Sequence, residues 1–170
     1  MTVYVALLRA VNVGGTGKLP MARLVELCAE AGFPNARTYI ASGNVILRST
    51  ASEQTIRDKL SACLGRNAGK PVGVLVRSAA EIAALVTSNP FAGQPGNRVM
   101  ALITDDKLPN DPLDGAAGLQ NEAVRLGHRA LYISYPDSMA HTRLRLPAGR
   151  AGTARNMNTL TKLVELAEAT

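Results

Sequence analysis

The residues best suited to chemistry lie in a polar, glycine-rich break after the first apolar run: Arg9, Asn12, Gly14, Gly15 and Lys18. Residues 3–8 read as a buried strand, and a helical pattern opens at Leu19-Pro20. A strand, a turn rich in backbone N–H groups, a lysine and a helix N-terminus are the parts of an anion cradle. The loop is not a Walker A motif, which needs G-x-x-x-x-G-K-[ST]. Asn12 stands where the first glycine belongs, and Leu19 replaces the hydroxyl residue that would hold magnesium. Nucleotide hydrolysis by this loop is therefore not expected. A flexible strand-to-helix connection with a surface lysine accounts for the same residues without any ligand.

Two further segments carry candidate polar groups. Arg155-Asn156-Met157-Asn158-Thr159 precedes a helical pattern, where unsatisfied N–H groups and the macrodipole favour an anion and Arg155 could add a bidentate contact. Helix capping by Asn158 beside an exposed arginine explains it equally. Ser42-Gly43-Asn44 could supply Ser42 and Asn44 to the same place, although turn chemistry alone accounts for it. Ser42 is no nucleophile elbow, because Ile40 and Asn44 occupy the glycine positions of G-x-S-x-G. The sharp expectation is one basic pocket in which Arg9, Asn12 and Lys18 face Arg155 and Asn156.

Other constellations are thin. His128 and His141 are the only histidines, and neither belongs to an H-E-x-x-H pair. Asp105, Asp106, Asp111 and Asp114 lack the alternation of a calcium loop and read as a solvated acidic loop. No metal or cofactor is expected. Cys28 and Cys63 fall on apolar helical positions and read as buried thiols, with no zinc or thioredoxin spacing.

The elements that must position these groups follow from periodicity. Residues 3–8 are apolar on both faces, so both should be covered. Pro20 suits a first helical position; Met21, Leu24, Val25 and Cys28 then recur at helical spacing, and Gly32 closes the helix. Residues 37–41 and 45–48 form a hairpin about Ser42-Gly43-Asn44. Ser52 caps a helix carrying Ile56, Leu60, Cys63 and Leu64, which Gly65 ends. Residues 72–77 make a fourth strand. Ser78 and Glu81 form a capping box for a third helix, stopped by Asn89-Pro90. The order βαββαβ predicts an α+β fold with a ferredoxin-like N-terminal unit over residues 1–93. A smaller α+β unit over residues 94–170 would hold a strand at 99–104, a hairpin of 122–126 with 130–135 and a C-terminal helix capped by Asn158 or Thr159. A short helix near 138–144 is a further expectation.

Composition sets the outer bounds. The 170 residues are 46% hydrophobic and 19% charged, a globular balance. A chain of this size buries roughly 70% of its unfolded surface, enough for a core without staples. No apolar run nears the ~20 residues that cross a bilayer, and the N-terminus has no basic region ahead of its apolar stretch, so a cytoplasmic protein with no membrane partner is expected. The net charge of +6 favours anionic partners. Arg143, Arg145, Arg150, Arg155 and Lys162 occupy a stretch between Asp137 and Glu165 that holds no acid.

Several stretches resemble a known family. Val5-Ala6-Leu7-Leu8-Arg9-Ala10-Val11-Asn12-Val13-Gly14-Gly15 is similar to its opening strand and loop, and Thr38-Tyr39-Ile40-Ala41-Ser42-Gly43-Asn44-Val45 to its hairpin. Tyr132 to Asp137 and Ala154-Arg155-Asn156-Met157-Asn158-Thr159-Leu160-Thr161-Lys162-Leu163 are similar to its C-terminal signature. The family is the bacterial domain-of-unknown-function family 1697. The resemblance implies a two-part α+β fold that begins with a ferredoxin-like unit, and brings no activity, cofactor or catalytic residue. Met157 stands where family members usually carry tryptophan.

Three functions fit these residues. The first is a module that binds a small anionic or phosphorylated ligand between the two units. The second is a nucleic-acid-associated protein using the basic C-terminal segment; the strand at 45–48 lacks the aromatics of an RNA-recognition sheet, which leaves phosphate contacts as the means of binding. The third is an enzyme on a small phosphorylated or acyl substrate, with Lys18 and Arg155 as electrostatic stabilisers and no evident general base. Oligomeric state is not legible.

Overall fold

The first apolar run becomes β1 (Thr2–Leu8), and both of its faces are sealed: Val5, Ala6, Leu7 and Leu8 are each at most 1% exposed. The computed structural model describes residues 1–12 and 18–170. Within them β1 is an inner strand, flanked by β3 (Asn44–Ser49) and β4 (Val74–Ser78), with the short β2 (Arg37–Tyr39) beyond β3. The sheet order is β2-β3-β1-β4, and every neighbouring pair is antiparallel. The helices α1 (Met21–Glu30) and α2 (Glu53–Ala68) complete a βαββαβ order. Leu24 and Cys28 of α1 and Ile56 and Leu60 of α2 share one core with Ala6, Leu8, Val45, Leu47 and Val76. Cys63 Sγ donates to Leu27 O at 3.3 Å, and burial pushes the Cys28 thiol up to about 12, so both cysteines are inert core residues as expected.

The opposite face of the sheet presents Val5, Leu7, Ile46, Leu75 and Arg77, all buried. Arg77 is 1% exposed; its Nη1 donates to Val76 O at 2.8 Å and lies 3.6 Å from Glu53 Oε1. A charge held this far from water must be compensated by such partners.

The chain divides into two compact units, Met1–Ile82 with Leu163–Thr170, and Ala83–Lys162. The second contains β5 (Val99–Ile103), β6 (Ala123–Gly127), β7 (Ala130–Ser134) and β8 (Thr153–Asn156), in the antiparallel order β6-β7-β5-β8. The remaining helices are α3 (Ala79–Thr87) and α4 (Met157–Glu168). The described residues thus form a mixed α+β protein with two four-stranded antiparallel sheets and four α-helices.

Four local expectations are corrected. The helix expected to end at Gly65 runs on to Ala68; Gly69, at φ 70°, is the left-handed cap, and its N–H donates to Gly65 O. Asn156, not Asn158 or Thr159, caps α4: its Oδ1 accepts from Thr159 N at 2.8 Å. No helix forms at 138–144, because that segment bonds elsewhere. Thr142 Oγ1 donates to Glu122 Oε2 at 2.7 Å, and the following Arg145 exchanges both backbone bonds with Ala117. The strand expected to reach Ala41 stops at Tyr39, since Ile40 turns left-handed at φ 51°.

Two glycines separate backbone strain from crowding. Gly43 has φ 86°, and an added Cβ would sit 2.7 Å from Val11 Cγ2 and 2.9 Å from Leu8 Cβ. Gly69 has φ 70° with nothing near. Gly69→Ala should therefore cost ~1 kcal/mol of unfolding free energy, and Gly43→Ala ~2 kcal/mol or more. Urea denaturation checks this; equal losses would mean that the hairpin turn yields freely.

Candidate functional site

The site is built at the C-terminal end of β1, where the ladder hands the chain to its neighbours. Leu8 N donates to Gly43 O and Arg9 N donates to Gly73 O, both at 2.9 Å. The backbone then leaves the sheet through two left-handed residues, Ala10 (φ 52°) and Asn12 (φ 56°). Asparagine tolerates this region because its short amide bonds locally. Here Asn12 Nδ2 donates to Leu19 O at 3.0 Å and to Ala41 O at 2.8 Å, while Oδ1 accepts from Leu19 N. One side chain thus links Asn12 to Leu19 and to the β2–β3 turn.

A cleft of about 540 Å³ opens beside this clamp, within the first unit. Arg9 and Lys18 line it from the β1–α1 connection, and Lys70 from the α2–β4 connection. The Arg9 stem lies against the bare Cα of Gly73, where a Cβ would come within 3.0 Å of Arg9 Cδ. Leu64, at 2% exposure, belongs to the core, and the half-buried Val11, Leu19 and Val72 pack on that core and also line the cleft. No aspartate, glutamate or histidine occurs among the described lining residues. The described lining thus joins three basic side chains to an aliphatic wall.

The expected site residues separate into groups. Arg9 and Lys18 share the cleft. Asn12 holds backbone at its edge. Gly14 and Gly15 lie outside the described residues. Ser42 sits in the β2–β3 turn and Asn44 opens β3, where the fully buried Asn44 donates from Nδ2 to Tyr39 O at 2.8 Å and to Ser42 Oγ at 3.0 Å. Arg155, Asn156 and Asn158 belong to the second unit. The capping alternative leaves Arg155 exposed, whereas it occupies an inward position of β8 and is 6% exposed. Its Nη1 donates to Thr153 Oγ1 at 2.7 Å and to Ala154 O at 3.0 Å, and burial draws the guanidinium down to about 10, still charged at neutral pH. Asn156 is spent on capping. Asn158 Oδ1 lies where a Cβ on Gly96 would collide.

A family model for proteins of unknown function, DUF1697, matches residues 1–132. The chain belongs to this family. The matched DUF1697 segment contains all of the cleft, from Arg9 to Gly73. No curated protein matches the chain. Its fold is similar to that of the conserved bacterial protein SP0830 from Streptococcus pneumoniae, with a TM-score of 0.79 at 22% identity over 98% of each chain. At that identity the likeness shows the fold alone. No helix among the described residues of this DUF1697 chain is long and apolar enough to cross a membrane.

Sequence reasoning missed Lys70 and the apolar wall. The signal was available in the topology: β4 runs antiparallel to β1 with Val74 opposite Leu8, so whatever precedes β4 must arrive where β1 ends. The clamp gives a direct test. Asn12→Gly keeps the left-handed backbone accessible and removes the amide, so it should lower unfolding free energy by ~1–3 kcal/mol. A change below ~0.3 kcal/mol in urea denaturation would mean that the amide bonds hold nothing.

Proposed function

We propose that this chain is a binding module for a small anionic or phosphorylated ligand, held in the cleft at the end of β1. The observation that carries the reading is the convergence of Arg9, Lys18 and Lys70 on one concave surface whose described lining contains no acidic side chain. The βαββαβ order with sheet order β2-β3-β1-β4 supports a ferredoxin-like reading of the first unit. Absence of a general base from the described lining favours binding over catalysis. The nucleic-acid reading is weakened by local pairing: the strand-like contact of Arg145 with Ala117 sets the basic 143–150 segment beside the loop that carries Asp111 and Asp114.

A thermal-shift titration with inorganic phosphate, pyrophosphate and a mixed-sequence oligonucleotide tests the reading. A ligand at ~100 times its Kd stabilises by ~2.7 kcal/mol. Lys18 and Lys70 are exposed, so Lys18→Ala and Lys70→Ala should leave the ligand-free melting point nearly unchanged and shrink the phosphate or pyrophosphate shift. Undiminished shifts in the double variant would remove the cleft from consideration. A shift seen only with the oligonucleotide, lost in steep proportion to salt and in Arg143→Ala with Arg145→Ala, would favour nucleic acid instead.

A further inference from the structure

The cleft is lined by more than charge. Val11, Leu19 and Val72 are three of the partly buried hydrophobic residues that pack on the first core, and all three line the cleft, as does Leu64 of the core itself. A bare inorganic anion would satisfy the cations and leave this wall in water. Among the described lining residues none is aromatic. The stacking platform that holds a nucleobase is therefore missing. A volume of about 540 Å³ exceeds what one phosphate group fills and falls within the range of small-molecule sites.

Resting on the anion-binding reading above, we infer that the ligand is an oxyanion carried on a short aliphatic chain: the charged group meets Arg9, Lys18 and Lys70, and the chain covers Val11, Leu19 and Val72. Burying a methylene in water-free contact is worth roughly fourfold in affinity, so chain length is the readout.

Isothermal titration of the wild-type protein with inorganic phosphate, butyl phosphate, hexyl phosphate, hexanoate and adenosine monophosphate tests this. Hexyl phosphate should bind at least about tenfold more tightly than inorganic phosphate, with butyl phosphate between them. Titration with acetate beside hexanoate adds a carboxylate series; the same gain with chain length is expected in whichever series binds. Val72→Thr, which replaces one methyl group of the wall by a hydroxyl, should shrink the gain in affinity from inorganic to hexyl phosphate, and an undiminished gain would count against the wall as the chain's partner. Equal affinity for inorganic and hexyl phosphate would overturn the aliphatic inference and leave the anion-binding reading standing. Tighter binding of adenosine monophosphate than of hexyl phosphate would overturn it in favour of a nucleotide. No binding by any probe would overturn both.

Discussion

The end of β1 is held from both sides, and the rest of the site depends on that constraint. Leu8 and Arg9 donate their backbone N–H groups to Gly43 and Gly73, which belong to connections far apart in the sequence. Buried backbone groups must be paired, so the antiparallel register alone brings the β1–α1, β2–β3 and α2–β4 connections to one edge of the sheet. Asn12 adds the second fastening through Leu19 and Ala41. The proposed binding reading draws on this arrangement, since a concavity assembled by ladder bonds would need less ordering when a ligand binds.

Backbone strain gathers in the same place. Four non-glycine residues among those described have positive φ, and Ala10, Asn12 and Ile40 are three of them. A β-branched isoleucine in the left-handed region is a true outlier. Such residues persist where the surroundings over-determine their conformation, and they concentrate at functional sites. Gly43 is required between them, because Val11 and Leu8 fill the space that a side chain would need.

Much of this architecture was legible from residue patterns. The apolar run at residues 3–8, the Ser52 cap and the pairing of the strands expected at 122–126 and 130–135 all emerge. What failed did so for physical reasons. A glycine announces that it can adopt positive φ, not that it must, so Gly65 and Gly69 were equally good stops for α2. An arginine announces charge, and nothing in Thr153-Ala154-Arg155-Asn156 announces that the alternation of β8 turns Arg155 inward. Lys70 was overlooked because its contribution is set by strand register, not by its sequence neighbours. The carboxyl-terminal candidates Asn156 and Asn158 carry polar groups suited to a ligand and to a cap alike, and only geometry separates the two uses.

The cleft joins two kinds of chemistry, a cationic rim and the open edge of a hydrophobic core, at the end of an inner strand. The central claim is spatial, and amide chemical-shift mapping in the ¹⁵N-labelled protein tests it most directly. Titration with inorganic phosphate should perturb the amides of Arg9, Lys18, Lys70 and Gly73 together, in a saturable manner. Perturbations centred instead on residues 143–150 or 155–158, with the cleft amides unmoved, would contradict the account.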